Sequence, residues 1–277
     1  MKYSVSIDEF VKDVKGQLDL CKLAGVKYVE IAVRDAGHTE YEKYIKDSVE
    51  IFGSNGIEIL SFHTPYWPND ISMLDTKRRK DCVASIIKNL EVFGKCCPGK
   101  IVVIHPGEIV ESGNDYRKHH ELAVSSMKEI CAVASKYDLF IALENMRHGD
   151  DRPNENFKDR FGEDTKAILA IIKELEYKHA GICFDTGHAN IAGDIIKKLK
   201  DCESRVIHTH ISDNLGIRDN HFLPEKGKIP WKEFFEVLTA PGYKGCVNLE
   251  IVPQEGMGSV EAIMESKKRL SKYLKFE

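Results

Sequence analysis

Asp185 and His188 close the stretch Gly181-Ile-Cys-Phe-Asp-Thr-Gly-His188, a short apolar run followed by a carboxylate and an imidazole with Gly187 between them. Both are metal-ligating groups. The construction recurs in Ile59-Leu-Ser-Phe-His63, Ile101-Val-Val-Ile-His105, Phe140-Ile-Ala-Leu-Glu144, Val206-Ile-His-Thr-His210 and Val247-Asn-Leu-Glu250. A single polar residue at the end of such a run is commonly a hydrogen-bonded strand terminus. A whole series of them is different, because His, Asp and Glu are rarely left at buried strand ends without a partner. His63, His105, Glu144, Asp185, His210 and Glu250 therefore point to a shared metal centre. The mixture of imidazole and carboxylate suits divalent Zn, Mn, Co or Fe, whereas oxygen alone would suggest Mg or Ca.

Something must bring residues so far apart in sequence together. Apolar runs of this length closed by turn signals read as buried strands, and helical patterns lie between them. Lys2–Ile7 predicts a first strand and Ile7–Ala24 a helix ended by Gly25. Tyr28–Val33 is a second strand, followed by a helix over 40–55, a third strand over 58–63 and a helix over 75–95. Strand four ends at His105 and is followed by a helix over 115–136. The remaining strands are expected at 139–146, 181–185, 206–212 and 245–252, with a closing helix from Ser259 to about Lys275. Eight βα units without a break in composition predict α/β architecture closed into a single (β/α)8 barrel, one domain over residues 1–277. In such a barrel all strand C-termini meet at one face, which is where the ligands would converge. Two connections exceed the usual loop length, Arg147–Asp164 and Asp213–Pro230, and the second carries Asp219-Asn-His221. His208 lies one pleat below His210 and reads as a packed or supporting residue. His119 and His120 fall in a helical surface pattern and are expected in solvent.

Composition narrows the partners. The 277 residues are 42% hydrophobic and 30% charged with a formal net charge of −4, so nothing global attracts a polyanion, and nucleic acid gains no support. No apolar stretch approaches a membrane span and the N-terminus lacks the apolar region of a signal peptide, which predicts a cytoplasmic protein. The eight cysteines form no Cys-x-x-Cys pair and read as reduced and structural.

At these residues the chain resembles the xylose isomerase-like TIM-barrel superfamily, which groups sugar isomerases and epimerases with endonuclease IV-type phosphodiesterases. The motifs are Ser61-Phe-His-Thr-Pro65, Val103-Ile-His-Pro-Gly107, Leu143-Glu-Asn145, Phe184-Asp-Thr-Gly-His-Ala-Asn190, His210-Ile-Ser-Asp-Asn214 and Asn248-Leu-Glu250. Asp219–Trp231 and Gly242-Tyr-Lys-Gly245 are similar to the sugar branch in particular. The resemblance implies a TIM barrel that holds a divalent metal (Mn, Zn, Co or Fe) through Glu144, Asp185, His210 and Glu250. It also implies a metal-dependent isomerase or epimerase of a sugar or sugar phosphate, with Glu144 and Glu250 as the acid/base pair of an ene-diolate mechanism. His188 and Arg218 are the expected hydroxyl contacts and Trp67 an apolar wall for a small carbohydrate. The alternative is a zinc-dependent phosphodiesterase acting on abasic DNA. For that branch the resemblance implies three ions, held by His63 and His105 with Glu144, by Asp185, His210 and Glu250, and by His188 with Asp219 and His221. Charge favours the sugar branch, since the first long loop is net acidic and the chain is anionic.

Overall fold

The computed structural model describes residues 1–9, 12–33, 40–65, 70–107, 116–147, 161–191, 193–202 and 204–277. Its eight strands are β1 (Tyr3–Ser6), β2 (Tyr28–Ala32), β3 (Glu58–His63), β4 (Ile101–Ile104), β5 (Phe140–Glu144), β6 (Ala180–Asp185), β7 (Val206–Ile211) and β8 (Val247–Leu249). All neighbours pair in parallel and β8 pairs back to β1, closing the ring in sequence order. The helices are α1 (Val14–Ala24), α2 (Tyr41–Ser54), α3 (Thr76–Cys96), α4 (Tyr116–Ala134), α5 (Thr165–Glu174), α6 (Thr186–Ile191), α7 (Ile195–Asp201), α8 (Trp231–Thr239) and α9 (Ser259–Leu270). The chain is a single (β/α)8 TIM barrel. No helix among the described residues is long and apolar enough to cross a membrane.

Local chemistry explains the boundaries. The first helix starts at Val14 rather than Ile7 because Asp13 caps it, its side chain accepting from Gly16 N at 2.9 Å; a 3-10 turn occupies Ile7–Glu9. Gly25, at φ 65, ends α1 in the left-handed conformation that favours glycine. Asp75 caps α3 in the same way as Asp13 caps α1.

The two faces of the strands divide the labour. Val5, Val29, Ile31, Phe62, Val102, Ile104, Ile141, Leu143, Ile182, Phe184 and Leu249 pack outward with helix residues such as Ile86, Phe93, Met127, Ile168 and Phe234 in one continuous core. The alternate positions meet inside the barrel, where Val103, Ala142 and Cys183 form a separate apolar patch. Much of the interior is polar: Ser4, Ser6, Glu30, Ser61, His63, His208, His210 and Asn248 are all buried. The strand interior is thus committed to positioning polar groups, and the apolar stability comes from the shell between strands and helices.

Candidate metal centre

β5, β6 and β7 deliver Glu144, Asp185 and His210 to one mouth of the barrel. Glu144 is in register with Cys183, and Asp185 with His210, while Glu250 follows β8 directly and its N–H donates to Ile211 O at 3.1 Å. One ligand atom from each of Glu144, Asp185, His210 and Glu250 lies within 4.8 Å of the others, and all four residues are buried. Two unit charges at that spacing repel by about 3 kcal/mol at an effective dielectric of ~20, so three clustered carboxylates need a cation or a proton. Burial, reinforced by Glu144, Glu250 and Asp219 and opposed by His188, pushes the Asp185 carboxyl up to about 7. Glu144 goes the other way: burial raises it, but His210, His105 and His63 outweigh that and hold it well below the usual range.

β6 runs straight into α6, and Asp185 serves both. Its Oδ1 accepts from His188 N at 2.6 Å, fixing the first turn, while Oδ2 is enclosed and accepts no hydrogen bond from the described residues. Asn145 clamps the same residue through its Nδ2 to Asp185 O (3.0 Å) and its Oδ1 from Asp185 N (2.8 Å). Gly187 is required by close approach: a Cβ there would stand 2.5 Å from Ser212 Oγ and 3.2 Å from Asp219 Oδ1.

His63 and His105 bring Nε2 to 3.1 and 3.2 Å from Glu144 Oε2, a second cluster of ligating atoms. A third group comes from the loop after β7. Asp219 Oδ2 lies 3.2 Å from His188 Nε2 and 3.1 Å from His221 Nε2. That loop is anchored by Asp213, which bridges Phe222 and accepts from Trp231 Nε1 at 3.0 Å. It carries His221 at φ 47, and the neighbouring backbone is held by Val252 N donating to His221 O at 2.9 Å.

The tautomers bear on whether a metal fits. His63, His188 and His221 each place Nδ1 on a backbone carbonyl: Thr64 O at 2.7 Å, Asn145 O at 2.8 Å and Glu250 O at 3.1 Å. A carbonyl can only accept, so the proton is on Nδ1, and a neutral ring then turns the Nε2 lone pair toward a carboxylate oxygen. That arrangement is repulsive unless the ring is protonated or a cation lies between, as in metal sites where backbone carbonyls orient ligating histidines. Asp219 Oδ1 and Glu250 Oε2, like Asp185 Oδ2, are enclosed without a hydrogen-bond partner among the described residues. The donor set fits a divalent metal with nitrogen and oxygen ligands. Without one, burial lowers His188 and His221 but the neighbouring carboxylates, Asp185 and Asp219 for the former and Asp219 for the latter, raise both, His221 to about 10.

The structure thus brings His63, His105, Glu144, Asp185, His188, His210, Asp219, His221 and Glu250 to one mouth of the barrel. Arg218 is on the same loop and exposed, and Trp67 lies outside the described residues, as does most of the loop after β5. His208 is packed as expected, with Nε2 3.0 Å from Glu30 Oε2. The expectation for His119 is corrected: it is 1% exposed, with Nδ1 donating to Ser72 O at 2.9 Å, because α4 turns this face onto the segment after β3. His120 keeps partial exposure and pairs with Glu174 at 2.7 Å. The residues that sequence reasoning missed are Glu30, Asn145 and Arg147, whose Nη1 lies 3.6 Å from Asp219 Oδ2. Glu30 left a signal as the one charge inside the apolar run of β2, and Asn145 as the last residue of the motif Leu143-Glu-Asn145.

Comparison with known proteins bears on the barrel as a whole. A D-tagatose 3-epimerase-like protein of known structure superposes with a TM-score of 0.81 at 28% identity, covering 99% of this chain and 97% of that one. The uncharacterized protein MJ1311 of Methanocaldococcus jannaschii is 29% identical over 249 residues, 87% of this chain and 78% of its own. The D-psicose 3-epimerase of Ruminiclostridium cellulolyticum is 24% identical over 201 residues, 71% of this chain and 64% of its own. A family described as Xylose isomerase-like TIM barrel matches residues 18–273, nearly the whole barrel, and the chain belongs to that family.

Proposed function

We propose that the protein is a metal-dependent epimerase of a small ketose, inverting the carbon beside the carbonyl. The observation that carries the reading is the pairing of Glu144 and Glu250 around His210, with one oxygen of each at 3.2 and 2.9 Å from His210 Nδ1. The resemblance of the barrel to a D-tagatose 3-epimerase-like protein supports it. A divalent cation held by Glu144, Asp185, His210 and Glu250 would supply Lewis acidity to the ketose oxygens, lowering the cost of an ene-diolate.

The side chains do the rest. Glu144 and Glu250 arrive from strands three places apart in the ring, so one carboxylate takes the carbon-bound proton from one face and the other delivers a proton to the opposite face. His188 and Arg218 contact substrate hydroxyls. His188 is held for this by its backbone contact with Asn145 and by Asp219. If a single carboxylate shuttled the proton between adjacent carbons, the same site would interconvert aldose and ketose.

The test is proton exchange. Metal-loaded protein in deuterium oxide, offered a panel of ketoses including D-tagatose and D-psicose and their phosphates, should place deuterium at the carbon beside the carbonyl. Glu144→Gln and Glu250→Gln should each lose about 10²–10⁴-fold or more, as general acid/base groups do. Absence of both conversion and exchange across the panel would overturn the reading.

One observation favours a second reading, a zinc phosphodiesterase of the endonuclease IV type. The His63–His105–Glu144 cluster and the His188–Asp219–His221 group offer ligands beyond those a single ion needs. Zinc-dependent nicking of an abasic duplex at moderate salt would establish it, and two or three equivalents of bound zinc would accompany it.

A further inference from the structure

Beneath the metal-ligating groups, Glu30 places a carboxylate in the middle of the barrel interior, 1% exposed. Its surroundings are all donors. Ser6 Oγ and Asn248 Nδ2 donate to Oε1 at 3.0 and 3.2 Å, and Ser61 Oγ donates to Oε2 at 2.7 Å. His208 Nε2 lies 3.0 Å from Oε2, while its Nδ1 is 3.2 Å from the Cys246 thiol. The thiol can donate to Nδ1, which puts the His208 proton on Nε2 and directs it at Glu30. The remaining polar atom against this carboxylate is His210 Nε2, 3.1 Å from Oε1 and off the line of an ideal hydrogen bond.

We propose that Glu30 is a positioning residue for the metal centre: by taking the proton of His210 on Nε2, it obliges Nδ1 to offer its lone pair to the ion. This rests on reading Glu144, Asp185, His210 and Glu250 as the metal set. A neutral imidazole carries one proton, and a ring protonated on Nδ1 cannot ligate through that atom. His210 Nδ1 is the atom that faces Glu144 Oε1 (3.2 Å) and Glu250 Oε2 (2.9 Å), so the choice of tautomer decides whether the site is competent. A carboxylate behind a ligating imidazole also makes the ring more basic and fixes its plane. Glu30 is suited to this because its four other contacts are donors fixed in strands, so its oxygens can neither turn away nor present a hydrogen to His210. The role extends the polar chain Cys246–His208–Glu30–His210 from the lower half of the barrel to its mouth.

The test measures cobalt(II) affinity by competition with a chromophoric chelator, together with the cobalt d–d absorption spectrum, on the full-length protein. Glu30→Gln keeps the size of the side chain but brings an amide NH2 against groups that are themselves donors. Its cobalt dissociation constant should rise about 10–100-fold, the usual effect of removing such a partner, with a changed d–d spectrum. Ser6→Ala removes one donor from the oxygen that faces His210 and should weaken cobalt in the same direction by less; it decides the matter if Glu30→Gln does not fold. Ser4→Ala loses a hydrogen bond of the same network, to Asn248 Oδ1 at 2.8 Å, without touching Glu30, and should bind cobalt as the wild type does. Folded Glu30→Gln with unchanged affinity and spectrum would overturn the proposal alone. So would equal weakening by Ser4→Ala and Ser6→Ala, which would mark the network as merely structural. A wild-type protein that binds no cobalt would instead overturn the metal reading on which the proposal stands.

Discussion

Replacing Asp185 by Asn should make the metal-free protein more stable and abolish its response to metal. Burial, with Glu144, Glu250 and Asp219 adding and His188 opposing, carries the Asp185 carboxyl from 3.8 to about 7 in the folded state. An acid with a raised folded value is held protonated by the fold, so it costs nothing below its unfolded value of about 4. The cost then grows with pH and levels off above about 7. At about 1.36 kcal/mol per pH unit the plateau is about 4 kcal/mol. Asn carries no charge at any pH, and its carbonyl can still accept from His188 N, 2.6 Å away in the wild type. Chelator-treated Asp185→Asn should therefore melt about 10 °C above the wild type at pH 8, using ~2–4 °C per kcal/mol for a chain of this size class. The advantage should shrink to about 1–2 kcal/mol at pH 5. Metal closes most of that gap, since an ion at a hundredfold excess over its dissociation constant adds about 2.7 kcal/mol to a protein that binds it. Thermal melts with manganese or cobalt should rise for the wild type and stay put for the variant. A metal-free Asp185→Asn that melts at or below the wild type at pH 8 would refute the reasoning.

Three further outcomes follow from the packing. Gly187→Ala drives a methyl to 2.5 Å from Ser212 Oγ and crowds Asp219, so it should cost about 1–3 kcal/mol in denaturant melts, with partial recovery in the double variant with Ser212→Ala. Trp231→Phe leaves Asp213 Oδ2 without its indole donor in a buried site and should cost about 1–3 kcal/mol, loosening the loop that carries Asp219 and His221, which limited proteolysis would detect. Ellman's reagent at pH 8 should find Cys96 first and the seven buried cysteines only on unfolding, because burial pushes thiols such as Cys21, Cys131 and Cys202 up to about 12.

The sequence by itself determined the barrel and the list of His, Asp and Glu residues gathered at its mouth. Both are local signals: apolar runs of strand length, each closed by His, Asp or Glu, and parallel βα order that sends every strand end to one face. His63, His105, Glu144, Asp185, His210 and Glu250 were legible because each lies at the end of its own strand, within one residue of it or directly after it. What a side chain touches across the barrel was not legible. Glu30 meets His208 across 178 residues of sequence, and that contact depends on the ring closure and on register shifts in β2–β3 and β6–β7 that no periodicity reports. His119 was misjudged for the same reason, since its helical position faces solvent until the segment holding Ser72 folds over it. Asp219 and His221 were named from the sequence, but the contacts that hold their loop at the mouth, the Asp213–Phe222 bridge, the Asp213–Trp231 bond and Val252 N on His221 O, were not legible. Which carboxylate oxygen is left unpaired, and which imidazole nitrogen carries the proton, are consequences of where fixed carbonyls and donors stand in space. Only the tertiary structure could decide them, because a tautomer is set by its hydrogen-bond partners and not by the sequence around the ring.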